Sequence, residues 1–195
     1  MRVILASKSP RRRELLGALG EKMGFDFEII TSEVDESVEE GIPPEEAVRI
    51  LAVRKGRAVA ETLSPDTLVI SSDTLVELCG EALGKPIDES DAVRMLSALS
   101  GRGHFVRTGV AVHYKGRVTS DVASTEVVFR TLSGEEIEEY VRSGEPMDKA
   151  GAYGIQGGAG KFVREYRGDF DTVVGLSLAL TERLITEALG GDLLD

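Results

Sequence analysis

An acidic side chain in an apolar segment is the first residue here that could do chemistry. Asp73 interrupts the mostly apolar run LVISSDTLVEL. Aspartate is depleted in β-strands, and a carboxylate withdrawn from water needs a partner, a proton or a metal ion. The alternative is a strand end, where aspartate is common. Asp73 is therefore a candidate catalytic group.

Two lysines could serve the same chemistry. Lys55 is four residues from both Leu51 and Val59, so on a helix it lies on the apolar face. A lysine whose stem covers the rim of that face is an equally good interpretation. Lys85, in LGKP, follows the turn after the Asp73 segment, and a return of the chain could bring it near Asp73.

Arginines stand at the start of the first predicted helix. Ser9 is typical of an N-cap and Pro10 of the first helical residue, and Arg11–Arg13 follow directly. The N-terminus of a helix already carries partial positive charge, so cations are unfavourable there unless an anion lies among them. The pattern indicates an anion-binding site.

A glycine-rich segment, DKAGAYGIQGGAGK, spans Asp148–Lys161. Such a loop can bring backbone N–H groups close to a phosphate, although many are only turns. It is not a P-loop, because Phe162 stands where that motif needs Ser or Thr after Lys161. It is not a convincing dinucleotide motif either, because it neither follows a clear strand nor opens a helix at the right spacing.

Several chemistries are disfavoured. With two histidines and one cysteine, a Cys/His zinc site is not expected, and no Gly-x-Ser-x-Gly elbow occurs. What remains is a set of basic side chains together with carboxylates, which suits phosphate chemistry with a hard divalent cation. The candidate carboxylates are Glu33, Asp35, Glu36 and Asp73.

The whole chain is typical of a globular protein. It has 195 residues, 42% hydrophobic and 29% charged, with a net charge of −11. We expect one α/β domain over residues 1–195. The acidic balance argues against binding to nucleic acid or anionic membranes. One cysteine excludes an internal disulfide and favours a reducing cytoplasm, and we expect neither a signal peptide nor a membrane span.

Periodicity predicts the elements that must position these side chains. The predicted strands are Val3–Ala6, Phe25–Ile30, the segment around Asp73, two long strands around a Lys115-Gly116 turn, and Phe162–Tyr166. The predicted helices run from about Pro10 to Leu19, from Pro44 to Ala60, through DESDAVRMLSALSG to Gly101, from a Ser133/Glu136 capping box to Val141, and from Leu176 to Leu189.

Five motifs in order resemble the Maf family of nucleotide pyrophosphatases. The motifs are SKSPRRRELL, VDE, SSDT, LGKP and DKAGAYGIQG. The resemblance implies an elongated mixed β-sheet flanked by helices, similar to the inosine triphosphate pyrophosphatase fold. It also implies hydrolysis of nucleoside triphosphates to monophosphate and pyrophosphate with a divalent metal, Mg²⁺ or Mn²⁺. The last motif resembles the branch that acts on dTTP and UTP, whereas the sister branch prefers 7-methyl-GTP.

The resemblance also assigns roles. Asp73 matches the proton acceptor, and Glu36 and Asp73 are the predicted metal ligands. Positions linked to substrate choice are Arg12, Thr74 and Gln156, and the other polar residues of the cleft are Glu36, Lys55 and Lys85. We expect Ser7, Arg11 and Arg12 to bind substrate, with both arginines around the triphosphate at the helix N-terminus, and Arg13 to point elsewhere.

Two rival functions are a non-catalytic, nucleotide-binding regulator of cell division and, less favoured, a nucleic-acid-binding protein. Carboxylates beside the phosphates discriminate, because anion binding alone has no use for them whereas metal-assisted hydrolysis does. The predicted partner is therefore a nucleoside triphosphate substrate, with no nucleic acid and no membrane. A homodimer is left open.

Overall fold

The computed structural model describes residues 1–31, 33–39 and 41–190, which contain both strands and helices. The strands are β1 (Val3–Leu5), β2 (Glu28–Ile29), β3 (Leu68–Leu78), β4 (Glu81–Leu83), β5 (Gly103–Tyr114), β6 (Arg117–Phe129) and β7 (Val163–Arg167). The helices are α1 (Pro10–Met23), α2 (Pro44–Ala60), α3 (Glu89–Leu99), α4 (Gly134–Arg142), α5 (Phe170–Val174) and α6 (Leu178–Ala188). Short 3-10 turns occupy Glu145–Asp148, Ala150–Ala152 and Gly158–Phe162.

The strands form one mixed sheet, which confirms the predicted fold class. The seven-stranded sheet has the order β2-β1-β3-β5-β6-β7, with β4 paired to β3. Strand β1 runs parallel to its neighbours β2 and β3. Strand β4 is antiparallel to β3, and β7 is antiparallel to β6. Helices flank the sheet. None of the helices in the described part of the chain is long and apolar enough to cross a membrane.

The chain divides into two compact units, each with its own apolar core. Unit 1 comprises residues 1–73, 108–123 and 175–195, and unit 2 comprises residues 74–107 and 124–174. In unit 1, α1 and α6 pack buried leucines against β1, β3 and β5. In unit 2, α3, α4 and the glycine-rich segment pack around Phe129 and Phe162. The assignment of a single domain stays a prediction.

Side-chain caps explain where helices begin. Ser9 and Ser133 accept backbone N–H groups of Arg12 and Glu136, and the predicted capping box at Ser133 is confirmed. Helix α1 continues past the predicted end at Leu19 to Met23. It ends at Gly24, whose φ of 79° suits glycine and whose N–H bonds back to the carbonyl of Gly20.

Other predicted boundaries differ because tertiary contacts decide them. The strand predicted over Phe25–Ile30 is only Glu28–Ile29, since the aromatic residues before it pack against the unit 1 core instead of pairing. Helix α5 was not predicted. The acidic segment after β2 contains no helix or strand in its described part; Ser32 and Glu40 of that segment lie outside the described residues.

Candidate active site

A cluster in unit 1 brings together three of the predicted site residues. Lys55 Nζ lies 2.8 Å from Glu36 Oε1 and also donates a hydrogen bond to Asp73 Oδ1. The Lys55 and Asp73 side chains are 18% and 14% exposed, whereas Glu36 is 56% exposed. One ammonium therefore compensates two carboxylates from different segments, close to the surface of the unit.

Strand β3 presents Asp73 at the end of its fully buried stretch. Residues 68–72 are all buried, and Asp73 is the first position of the strand that reaches solvent. The sequence offered a strand end as the plain alternative to a functional aspartate. Both interpretations are compatible with the structure. Asp73 lies where the strand leaves the buried core, and its carboxylate accepts a hydrogen bond from Lys55.

Helix α2 holds Lys55 in place through an unusually close approach to the strands below it. A Cβ atom on Gly56 would lie 2.4 Å from Ser71 Oγ and 2.5 Å from His113 Nε2. A Cβ atom on Gly109 would lie 2.5 Å from the carbonyl oxygen of Val48. Ser71 Oγ also donates a 2.8 Å hydrogen bond to the carbonyl of Ala52. Lys55 therefore sits next to Gly56, at which α2 packs directly against the sheet.

The acidic segment is positioned by the neighbouring residue of α2. Arg54 donates hydrogen bonds to the carbonyls of Asp35 and Ser37, at 2.5 and 2.7 Å. The Asp35 carboxylate accepts from the backbone N–H and hydroxyl of Ser37, and these bonds lower the pKa of Asp35. Asp35 thus stabilises its own loop, while Glu36 faces Lys55. Glu33 lies 4.0 Å from Lys8 and both side chains are largely exposed.

The Arg12 guanidinium donates hydrogen bonds to backbone carbonyls, one of them in the residue before Asp73. Its Nε donates to the carbonyl of Gly175 and its Nη1 to the carbonyl of Ser72, each at 2.9 Å. Burial lowers the pKa of Arg12, while Asp73 and Glu36 oppose that effect. Arginine stays charged throughout the working range. Arg12 therefore stabilises the strand directly before Asp73, and its phosphate contact stays a prediction.

Two more of the predicted substrate-binding residues, Ser7 and Arg11, lie before α1 and in its first turn. Ser7 is buried, and its Oγ accepts from the backbone N–H of Ser9 at 3.2 Å and lies 3.5 Å from Arg12 Nη1. Arg11 is half-buried, whereas Arg13 is exposed. The contact of Arg11 with substrate and the orientation of Arg13 away from it stay predictions.

Unit 2 carries Thr74, Lys85 and Gln156. Thr74 follows Asp73 on β3 and is half-buried, and the other two side chains are exposed. Strand β4 pairs Leu83 with Val76, so the chain returns along β3 before it reaches Lys85. Gly151 N–H then bonds to the carbonyl of Gly84 at 2.9 Å, which joins the LGKP segment to the glycine-rich segment.

Sequence reasoning missed the residues that hold the glycine-rich segment. Tyr140 and Glu145 bind its backbone, and Lys149 Nζ donates to the carbonyl of Glu145 at 2.7 Å. The glycines themselves indicate that some group approaches the backbone there. Nothing in the sequence pattern says which side chain it is. An ion pair between Arg107 and Glu77, both mostly buried, was likewise not predicted.

The carboxylates fit a divalent cation only in part. Glu36 and Asp73 converge on one cationic nitrogen, and carboxylate oxygens are the donors that Mg²⁺ and Mn²⁺ prefer. Within residues 1–31, 33–39 and 41–190, no group of three or more His, Cys, Asp or Glu side chains could hold a metal. Glu36 and Asp73 could hold an ion that also binds phosphates and water, and this metal site stays a prediction.

Known proteins with similar sequences match almost the whole chain. A dTTP/UTP pyrophosphatase of Photorhabdus laumondii is 50% identical over 183 residues, covering 94% of this chain and 92% of the relative. That of Moorella thermoacetica is 50% identical over 186 residues, covering 94% and 93%. That of Anaeromyxobacter dehalogenans is 49% identical over 191 residues, covering 96% and 94%.

Among solved structures, a nucleoside-triphosphatase / dITP/XTP pyrophosphatase of Mycobacterium abscessus covers 96% of both chains. Its identity is 16% and its TM-score 0.49. The Maf-like protein family matches residues 2–188. Because that match spans almost the whole chain and is accompanied by relatives at about half identity, this protein belongs to the Maf family.

Proposed function

We propose that this protein hydrolyses dTTP and UTP to the nucleoside monophosphate and pyrophosphate, with a divalent cation. The observation that carries the proposal is the contact of Lys55 with both Glu36 and Asp73. A site for anion binding alone gains nothing from two carboxylates, which would repel the phosphates. The names of the relatives support the choice of dTTP and UTP.

The proposed reaction is a displacement by water at the α-phosphorus. Asp73 accepts a proton from the water, whose oxygen forms the new bond to phosphorus. The bond from the α-phosphorus to the bridging oxygen breaks, and pyrophosphate leaves with that electron pair. Asp73 then releases the proton to solvent, so one water is consumed for one monophosphate, one pyrophosphate and one proton.

The basic side chains serve charge and orientation. Lys55 stands beside Asp73 and is placed to stabilise negative charge that develops on the phosphate. Arg11 lies in the first turn of α1, and the partial positive charge at that end of the helix suits the triphosphate. Lys85 is assigned the same charge-stabilising role, and Thr74 and Gln156 the recognition of substrate.

Glu36 and Asp73 are the residues proposed to hold Mg²⁺ or Mn²⁺. When bound, such a cation neutralises charge on the phosphate oxygens. Because the described residues contain no group of three or more candidate ligands, we expect the ion to bind far more tightly together with nucleotide than alone.

A panel of nucleoside triphosphates tests this function. Each of dTTP, UTP, CTP, ATP and GTP is incubated with Mg²⁺ or Mn²⁺, and pyrophosphate and orthophosphate are measured separately. We expect pyrophosphate only, and a clearly higher kcat/KM for dTTP and UTP than for ATP and GTP. Nucleotide binding without turnover, or release of orthophosphate, would contradict the proposal and favour a binding role.

A further inference from the structure

The loop that carries Gln156 is tied down at both ends by two linked side chains. Gly154 N–H donates to the hydroxyl of Tyr140 at 3.3 Å, and Gly158 N–H donates to Glu145 Oε2 at 3.0 Å. The Tyr140 hydroxyl in turn donates to Glu145 Oε1 at 2.9 Å. We call Tyr140 and Glu145 the clasp, and residues 154–158 the clasped loop.

Glycines in the clasped loop are explained by this contact. A Cβ atom on Gly157 would lie 1.9 Å from Glu145 Oε1, although its φ of −104° is open to any residue. A Cβ atom on Gly158 would lie 3.3 Å from the Tyr140 ring. The loop backbone therefore fits directly against the carboxylate and the ring.

Both residues of the clasp are held in place by their surroundings. Tyr140 is 4% exposed on α4, and its ring meets that of Phe162 edge to face at 5.3 Å between centroids. Burial and the hydrogen bond to Glu145 raise the pKa of Tyr140, so the hydroxyl stays a donor at any working pH. Lys149 Nζ fixes the backbone of Glu145 through its carbonyl.

Donor and acceptor roles in the clasp are fully assigned. Both groups that face the Glu145 carboxylate are donors, so each carboxylate oxygen must accept. A glutamine amide has one oxygen and one NH₂ group, so it can replace only one of the two acceptors without rearrangement. Alanine replaces neither. Substitutions at Glu145 should therefore form a graded series.

Gln156 lies at the middle of the clasped loop, with an exposed side chain. We propose that Glu145 is a positioning residue for recognition of the base, which it performs by holding the loop so that Gln156 presents a fixed amide. This inference rests on the proposed function, in which Gln156 reads the base. A recognition group must be held within about 0.5 Å of its working position, and a loop held only at its distant ends would not achieve that.

The test compares base selectivity across clasp variants of the full chain. The kcat and KM for UTP and for ATP are measured for the unchanged protein, Glu145→Gln, Glu145→Ala and Tyr140→Phe. Glu138→Ala, an exposed glutamate of α4, serves as the matched control. We expect Glu145→Ala to lower the ratio of kcat/KM for UTP over ATP by about tenfold, the scale of one lost hydrogen bond to a charged group. Glu145→Gln and Tyr140→Phe should fall between Glu145→Ala and Glu138→Ala.

Coupling to Gln156 separates positioning from general damage. In a Gln156→Ala background, Glu145→Ala should change the UTP/ATP ratio no further, because the residue it positions is already gone. Amide hydrogen exchange, measured without nucleotide, should be faster at Gly154 and Gly158 in Glu145→Ala. Should Glu145→Ala not fold, Tyr140→Phe carries the same comparisons.

Failure of this inference is distinguishable from failure of the proposed function. If the unchanged protein shows no preference for UTP over ATP, the proposed function is wrong and the inference falls with it. If that preference exists but every clasp variant slows UTP and ATP by the same factor, the proposed function stands and the positioning role is overturned. Equal effects of Glu145→Ala with and without Gln156 would overturn it as well.

Discussion

At the scale of single residues, Asp73 is the side chain on which the proposed chemistry depends most. Asp73→Asn keeps the size of the side chain but removes its ability to accept a proton. We expect kcat to fall at least about 100-fold, the lower scale for losing a positioned base, while nucleotide affinity is largely kept. Steady-state kinetics with saturating metal measures this. Turnover near that of the unchanged protein would remove Asp73 from the mechanism.

Arg12 and Arg13 should differ sharply although they are neighbours. Arg12 donates to the carbonyls of Ser72 and Gly175, whereas Arg13 is exposed. Arg12→Ala should cost about 1–3 kcal/mol of unfolding free energy and at least about tenfold in kcat/KM. Arg12→Lys should restore little, because an ammonium cannot reproduce the planar guanidinium geometry. Arg13→Ala should stay within about 0.5 kcal/mol of the unchanged protein.

Urea unfolding together with kinetics checks the arginine prediction. Equal losses from Arg12→Ala and Arg13→Ala would indicate a diffuse basic patch. A loss of kcat/KM in Arg12→Ala with unchanged stability would show that its contacts with the backbone contribute nothing, and that it acts on substrate alone.

At the scale of elements, the close packing of α2 against the sheet should control both stability and catalysis. Gly56→Ala places a methyl group within 2.5 Å of Ser71 Oγ and His113 Nε2. Overpacking of this kind costs about 1–3 kcal/mol, and any shift of α2 moves Lys55 away from Asp73. We therefore expect Gly56→Ala to lower both the unfolding free energy and kcat.

Gly17 on α1 supplies the matched control for Gly56. Among the described residues, and apart from its chain neighbours and the nearby backbone of α1, no atom lies within 4 Å of a Cβ built on Gly17. Gly17→Ala should therefore stabilise the protein by about 0.5–1 kcal/mol through helix propensity, without changing kcat. If Gly56→Ala behaves like Gly17→Ala, the close approach of α2 to the sheet does not position Lys55.

Elements with local cues could be predicted from the sequence. The caps at Ser9 and Ser133 mark where α1 and α4 begin, and the Lys115-Gly116 turn, with φ of 48° and 73°, joins β5 to β6 as expected. Helix α5 has no such cue, and β2 is shortened because its flanking aromatic residues prefer the core.

For the candidate site, individual residues could be predicted from the sequence but their contacts could not. Asp73 and Lys55 stood out because each is a charged residue among apolar neighbours. Their contact with one another, and that of Glu36 with Lys55, depends on how α2 lies on the sheet. Glu145 could not be found from the sequence, because its contacts with the Tyr140 hydroxyl and the Gly158 N–H exist only once the chain is folded.

At the scale of the whole molecule, two buried histidines should make stability depend on pH. Burial lowers the pKa of His104 and of His113 to about 4, from 6.5 in the unfolded chain. Between these values the unfolded chain binds protons that the native protein does not, so stability is fully present above about pH 6.5 and falls as pH drops towards 4. The expected loss is at most about 1.4 kcal/mol per pH unit for each histidine.

Urea unfolding at about pH 7 and about pH 5 measures that loss. His104→Gln keeps a polar group for the Tyr153 hydroxyl, which lies 2.8 Å from His104 Nε2, and removes one titrating group. Its stability should therefore depend less steeply on pH than that of the unchanged protein. Equal stability of the unchanged protein at both pH values would contradict the assignment of two neutral, buried imidazoles.

The central claim is that water attacks the α-phosphorus. Its most direct test is to hydrolyse UTP in water labelled with heavy oxygen and to locate the label in the products by mass spectrometry. If water attacks the α-phosphorus, the label appears in UMP and the pyrophosphate is unlabelled. Label in the pyrophosphate would place the attack at the β-phosphorus, and labelled orthophosphate would place it at the γ-phosphorus. Either result would contradict the account.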